Sequence, residues 1–302
     1  MKGYALVLLL VTVCPCHSIA QRAIPDDNLA YPVLITLSDC SSIIGSVKGS
    51  GFLLNTGSEV YLVTARHVLF NEAERVQPGQ ARPLQCKKAE LVSYSRDPKD
   101  RQQNRFEVDM QALNEGSKVR AHPTRDVAVI QIGVNRKNQD AVADRSKPEY
   151  ILEVFSEVRP ITTAPSGLLS VGMETVKRFG EVLTANDVYV SGYPSSIGVQ
   201  QAPQIDYSAP LLRKGIVAGV NESNKTIVLD CLTFFGNSGG PVLQAVHVGL
   251  STRFDVIGVI IQYVPLAENW VNTTFSYSYM QLHNSGYSIA EPMDSVLELV
   301  GK

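Results

Sequence analysis

The chain has 302 residues, 44% of them hydrophobic, with 27 Lys and Arg against 29 Asp and Glu. That apolar share excludes general disorder, and 22 Gly with 16 Pro exclude collagen-like and low-complexity chains. A formal net charge of −2 offers no cationic footprint for a nucleic-acid backbone, so no nucleic-acid partner is expected.

In chain order, the first segment reads as an address. Lys2 precedes an apolar run from Tyr4 to Val13, too short for a bilayer, which takes about 20 residues. Ser18-Ile19-Ala20 then places small residues where a signal peptidase needs them. Residues 1–20 are therefore expected to be a signal peptide cleaved after Ala20, giving a secreted or periplasmic protein. No later run is long and apolar enough for a membrane helix, so stable membrane insertion is not expected after cleavage. Cleavage removes Cys14 and Cys16 and leaves Cys40, Cys86 and Cys231. In an oxidising compartment, Cys40 and Cys86, which flank the segment around His67, are expected to pair. The odd count leaves Cys231 in the apolar stretch Ile227 to Phe235, as a buried structural thiol.

The mature chain reads as short strands with turns between them. Val33 to Ser38, Gly51 to Leu54, Glu59 to Thr64, Ala89 to Tyr94, Phe106 to Leu113 and Val127 to Ile132 form the first series. Asn55-Thr56-Gly57-Ser58 has turn chemistry, and Asn71 to Arg82 is loop. The polar stretch Asn135 to Lys147 reads as a junction between two halves. Strands resume near Tyr150 to Val154, Val188 to Ser191, Gly215 to Val220, Thr226 to Leu229, Pro241 to Leu243 and Val256 to Gln262. The best helical window is Met293 to Val300, opened by Asp294-Ser295 and closed by Gly301. This pattern predicts an all-β protein; periodicity does not choose between a sandwich and a barrel.

Three short segments carry chemistry. In Gly236-Asn237-Ser238-Gly239-Gly240, glycines on both sides of a serine allow a sharp turn and the close approach of a carbonyl. The N–H groups of Gly236 and Ser238 are candidates for an oxyanion hole. His67 follows directly on an apolar strand ending in Thr64-Ala65-Arg66, which suits a general base at a cleft. Arg66 is expected to point to solvent. Of the other histidines, His122 is read as loop decoration, His247 as lying past a strand end and His283 as loop. Asp126 precedes an apolar strand and needs a partner, which the imidazole Nδ1–H of His67 would supply. No cysteine or histidine spacing suits zinc, and neither a metal nor another cofactor is expected.

The order His67, Asp126, Ser238 resembles the chymotrypsin-fold serine peptidases. Ser50-Gly51-Phe52, Gly192-Tyr193-Pro194 and Ile257-Gly258-Val259 look like further parts of that family's pattern. The G-N-S-G-G segment is similar to the bacterial HtrA/Deg-like branch, in which no zymogen ion pair is made at the position of Asn237. The residues after Gly240 are needed for the second barrel, so no PDZ domain is expected. The resemblance implies two six-stranded antiparallel β-barrels with the active site between them and a short C-terminal helix. It divides the mature chain into 21–145, bearing His67 and Asp126, and 146–302, bearing Ser238 and the helix. It places Leu232 at the base of the primary pocket, and Ile261, Gln262 and Tyr263 on the edge strand that binds substrate. The implied activity is an exported endopeptidase acting on polypeptide substrates with an uncharged aliphatic P1 residue. The alternative is a peptidase-fold binding or sensing protein with little turnover. An α/β-hydrolase fits the G-x-S-x-G pattern, but its order is serine, acid, histidine and it needs more helix.

Overall fold

The computed structural model describes residues 24–40, 47–72, 82–97, 102–138, 150–165, 167–196, 202–249 and 251–302. The expected signal peptide, with Cys14 and Cys16, lies outside the described residues, as do most of the Asn71–Arg82 loop and part of the junction. The described chain forms two β-sheets.

The first sheet is built from β1 (Pro32–Cys40), β2 (Val47–Asn55), β3 (Glu59–Thr64), β4 (Cys86–Tyr94), β5 (Gln103–Asp109), β6 (Val119–Ala121), β7 (Ala128–Lys137), β8 (Tyr150–Val154), β9 (Val158–Thr162) and β10 (Val171–Gly172). Its order is β6-β7-β3-β2-β1-β4-β5-β9, with β8 on β7 and β10 parallel to β2. The second comprises β11 (Asp187–Gly192), β12 (Leu211–Asn221), β13 (Thr226–Asp230), β14 (Pro241–Val248), β15 (Ser251–Asn272) and β16 (Tyr277–Pro292), closed into an antiparallel barrel. The fold is all-β and chymotrypsin-like, with a six-stranded second barrel. The first sheet curls but has ten strands and stays open, where six closed strands were expected. β8 to β10 pair with β7, β5 and β2, so the change of sheet falls between Gly172 and Asp187 and not at 145/146.

Why the halves stay together is written in β2 and β3. Successive strand residues face opposite sides, yet Ser50 to Leu54 and Val60 to Thr64 are buried on both. Leu53 and Leu62 face the core of the first sheet with Ile35, Leu91 and Ile130. Phe52, Leu54, Tyr61 and Val63 face a second core shared with Tyr189, Leu243 and Val256 of the barrel. The terminal helix closes that shared core. Of the three α-helices among the described residues, α1 (Arg66–Leu69), α2 (Met110–Glu115) and α3 (Met293–Val300), α3 buries Met293, Val296, Leu297 and Val300 at helical spacing. Gly301 ends it at φ +72°, while Asp294 accepts the Phe179 N–H (2.6 Å) instead of capping its own helix.

Two other expectations change. The strand read as Phe106 to Leu113 stops at Asp109, whose side chain accepts the Ala112 N–H at 2.9 Å and starts α2. His283 lies within β16, not in a loop, and His247 within β14, not past a strand end. No described helix is long and apolar enough to cross a membrane.

Candidate active site

His67 sits in α1, one turn after β3. The Asp126 carboxylate grips it twice: Oδ2 lies 2.7 Å from Nδ1, and Oδ1 accepts the His67 backbone N–H at 3.0 Å. That bidentate hold fixes the imidazole with Nδ1–H toward the acid and leaves Nε2 free to take a proton. Gln85 supports the other side of α1, donating its amide to the His67 carbonyl (2.6 Å) and the Phe70 carbonyl (3.1 Å). Gln85 adjoins Cys86, which faces Cys40 across β1 and β4 and is joined to it by a disulfide.

Two residues near Asp126 do more than their local sequence suggested. His122 is buried, and its Nδ1 accepts the N–H of Arg125 at 3.0 Å. That leaves Nε2–H to donate to Glu298 of α3 at 2.9 Å, so the helix supports the loop that presents Asp126. Arg66 does not point to solvent. It is 9% exposed, with Nε on Glu72 (2.7 Å) and Nη1 on the His122 carbonyl (2.9 Å). Its apolar strand end needs a lid, and its charge finds a carboxylate there. Behind the loop, Glu291 of β16 is buried, and desolvation pushes its carboxyl above the usual range, aided by Asp126 and opposed by Arg125.

Ser238 stands on a turn whose shape is set by two glycines. Gly236 has φ +95° and Gly239 φ +88°. A Cβ on Gly239 would meet the Ser50 carbonyl oxygen at 2.0 Å and the Thr64 hydroxyl at 2.2 Å, so only glycine lets this turn lie against the strand end that leads to His67. The Asn237 side chain is buried and accepts the Phe234 N–H at 3.0 Å inside the turn. The Ser238 hydroxyl donates to the Ile261 carbonyl at 3.4 Å, and among the described residues it has no bond to His67.

Two hydroxyls from outside the motif fasten the turn. The Phe235 carbonyl accepts from the Ser195 N–H (2.8 Å) and hydroxyl (3.2 Å). In a trans peptide the next N–H points the opposite way, so Gly236 N–H is turned away from Ser195. The Ser50 hydroxyl donates to the Gly236 carbonyl at 2.6 Å, and the Ser50 Oγ accepts the Tyr193 N–H at 2.9 Å. The Ser50 N–H holds the Ser238 carbonyl at 2.8 Å. Neither Gly236 N–H nor Ser238 N–H has an acceptor among the described residues. Two free donors beside a hydroxyl form an arrangement suited to a developing oxyanion. Ser50 was legible only as part of G-S-G-F; its bonds cross between sheets and leave no local signature.

Ile261, Gln262 and Tyr263 follow the last β14–β15 pair, Pro241↔Val259. Gly240 and Ile260 still exchange a bond, but from Ile261 outward that edge of β15 carries no described backbone partner. Tyr263 meets Phe235 edge to face at 5.5 Å, and Leu232 is 37% exposed. Nearby, Thr233 and Ser288 share a hydroxyl bond of 2.8 Å, and Asn284 donates to the Thr233 carbonyl at 2.6 Å. Cys231 is buried and free, its thiol pushed up to about 11 by burial. Among the described residues no group of three His, Cys, Asp or Glu is placed to hold a metal ion.

This fold is of the chymotrypsin-like class. Residues 49–247, which include His67, Asp126 and Ser238, match the model of the trypsin-like peptidase domain, and the chain belongs to that family. Among solved structures it is similar to a serine endoprotease from Yersinia pestis, at 12% identity and TM-score 0.46, covering 90% of this chain and 62% of that one. It is likewise similar to the thermostable serine protease AL20 from an extremophilic microorganism, at 12% identity and TM-score 0.46, covering 91% and 96%. The chain thus spans less than two thirds of the Yersinia protein. No curated protein matches it.

Proposed function

We propose that the protein is an exported serine endopeptidase with Ser238 as nucleophile, His67 as general base and Asp126 as the residue that orients the imidazole. The Ser238 oxygen attacks a peptide carbonyl while its proton passes to His67 Nε2. Gly236 and Ser238 N–H groups receive the oxyanion. The C–N bond then breaks, His67 gives the proton to the leaving amine, and water releases the acyl group by the same route. The observation that carries this reading is the bidentate hold of Asp126 on His67, together with two unpaired N–H groups on the Ser238 turn.

The substrate is a polypeptide that adds as a strand to the open edge at Ile261, Gln262 and Tyr263. Leu232, Thr233 and Ile261 bear no charge, which supports an uncharged, aliphatic P1 side chain. Export rests on the apolar run before Ala20, and the disulfide is compatible with an oxidising compartment. The domain reading becomes one catalytic unit with a shared core, His67 and Asp126 entering from the first sheet and Ser238 from the second.

A second reading, a binding protein with little turnover, is favoured by one observation. The Ser238 hydroxyl is bonded to Ile261 and not to His67. Hydrogen bonds of this kind often tighten only in the substrate complex. Labelling with a fluorophosphonate separates the two. Wild type labels and both Ser238→Ala and His67→Ala do not, if the peptidase reading holds. Folded wild type that stays unlabelled supports the binding protein.

A further inference from the structure

Past Tyr263 and Ser288 the last hairpin leaves the barrel. β14 covers β15 only from Ser251 to Val259, and β13 covers β16 only from Tyr287 to Ala290. Beyond those residues, among the described residues, the two strands pair with each other alone, in continuous register from Pro265↔Asn284 to Asn272↔Tyr277. At about 3.4 Å per residue, this ribbon reaches on the order of 25 Å.

Directly opposed residues share a face. Trp270 with Tyr279 and Asn272 with Tyr277 line one face, while Asn269 with Met280 and Ala267 with Leu282 line the other. Both faces are bare: Trp270 is 60% exposed, Met280 60%, and Phe275 at the tip 75%. A lone two-stranded ribbon is at best marginally stable in water. Exposed apolar strands with unpaired edges are normally protected by charge. This one has a single acid, Glu268, whose carboxylate lies 3.6 Å from His283. Its own chemistry therefore calls for a cover.

We propose that the ribbon is an assembly arm that packs against the same arm of a second copy of this chain. Area is the first argument. On one face Trp270, Tyr277 and Tyr279, with Phe275 at the tip, are each more than half exposed, and at about 150–250 Å² per aromatic side chain they present roughly 500 Å². Two such faces together bury about 1,000 Å², which is what a specific interface has to clear. Symmetry is the second. A twofold axis lays the Trp270 face of one arm against the same face of its copy, the self-complementary contact that two identical patches make. Charge is the third, and it argues against a lipid surface. No Lys or Arg occurs between Phe254 and Gly301, so an anionic bilayer would find no cation here.

Trp270 is the only tryptophan of the chain, so its emission reports on the arm. Light scattering and Trp270 fluorescence are measured for wild type and for Tyr279→Glu/Met280→Glu, which places one charge on each face and leaves Trp270 in place. Wild type is expected at twice the mass of the variant, with blue-shifted emission that moves to the red on dilution or in the variant. Cleavage of a short peptide, or fluorophosphonate labelling, should differ less than twofold. A wild-type mass other than twice that of the variant overturns the proposal, as does water-exposed Trp270 emission at every concentration. Flotation of monomeric wild type with neutral phosphatidylcholine vesicles would overturn it too and assign the arm to lipid. Loss of labelling in both proteins would count against the peptidase reading and not against the arm.

Discussion

The two sides of the candidate site are held by different physics. On the His67 side the fasteners are charged and amide side chains far away in sequence: Asp126 on the imidazole, Gln85 on the α1 carbonyls, and His122 with Glu298 behind the acid's loop. On the Ser238 side they are backbone conformations within a few residues, with Gly236 and Gly239 at positive φ and Asn237 closing the turn on Phe234. Among the described residues, the Ser50 and Ser195 hydroxyls and the Ile260 backbone reach in from elsewhere. One side is therefore vulnerable to the loss of a single polar group, and the other to the gain of a single methyl.

The sharpest test of the first vulnerability is Asp126→Asn. An amide cannot hold the imidazole in the same tautomer, and kcat should fall about 10⁴-fold. Chemical unfolding should place the variant close to wild type, because the loop is still anchored through His122. An activity within tenfold of wild type would mean that Asp126 does not orient the base.

Gly239→Ala tests the second. Its methyl would have to share space with backbone and with the buried Thr64 hydroxyl, and its φ is strained for any other residue. Neither neighbour can swing aside. Destabilisation of about 3 kcal/mol or more is expected from urea unfolding, within the range of severe core substitutions. A variant of unchanged stability would show that the turn is free to open, and the comparison between the two sides would fail.

Ser50→Ala probes the place where the comparison is least clean, since a side-chain hydroxyl here holds a backbone-built turn. The substitution strands the buried Tyr193 N–H and Gly236 carbonyl, each at a cost of about 1–3 kcal/mol. The Gly236 carbonyl lies in the peptide between the two oxyanion donors, so its release loosens the turn that sets them relative to each other. A fall in kcat of roughly 10–100-fold with little change in KM is expected if the turn matters mainly in the transition state. Ser50→Thr, which keeps the hydroxyl, should recover most of it. Equal loss in the Thr variant would reduce Ser50 to a packing role.

The same division explains what could be read from the residues alone. The Ser238 turn is local, so G-N-S-G-G announces it. The terminal helix is also local, and its bounds Met293 and Val300 were legible from spacing and Gly301. The apolar run in β3 was visible, but not that its two faces serve two cores, because that depends on a barrel arriving more than 100 residues later. Arg66 and His122 were misread for one reason: their partners Glu72 and Glu298 are chosen by the fold, and nothing beside them in the chain points there. The arm was missed because Val256 to Gln262 has the apolar density of a barrel strand, whereas Leu266 to Leu282 mixes polar and apolar residues as a solvated loop would. Alternation at Tyr277, Tyr279 and Gln281 is weak without knowing that Asn272 closes a turn by accepting the N–H groups of Thr274 and Phe275.

The smallest effect expected lies behind the acid. Glu291 has its carboxyl raised chiefly by desolvation and also by the charge of Asp126, with the Arg125 guanidinium 3.8 Å away opposing both. A raised folded-state value means that the neutral form suits the fold. The associated stability is fully present below the unfolded carboxyl range and is lost as pH rises through the folded value. Above that window the protein carries a buried carboxylate, one of whose oxygens has no hydrogen-bond partner among the described residues. Glu291→Gln keeps an acceptor for the Asp126 N–H and removes the charge. Its melting temperature should match wild type at low pH and exceed it at pH 8, by about 2–4 °C if the charge costs about 1 kcal/mol. A variant less stable than wild type at pH 8 would reverse the argument: Arg125 would then outweigh burial, and the second acid behind Asp126 would be part of what anchors the His67 side.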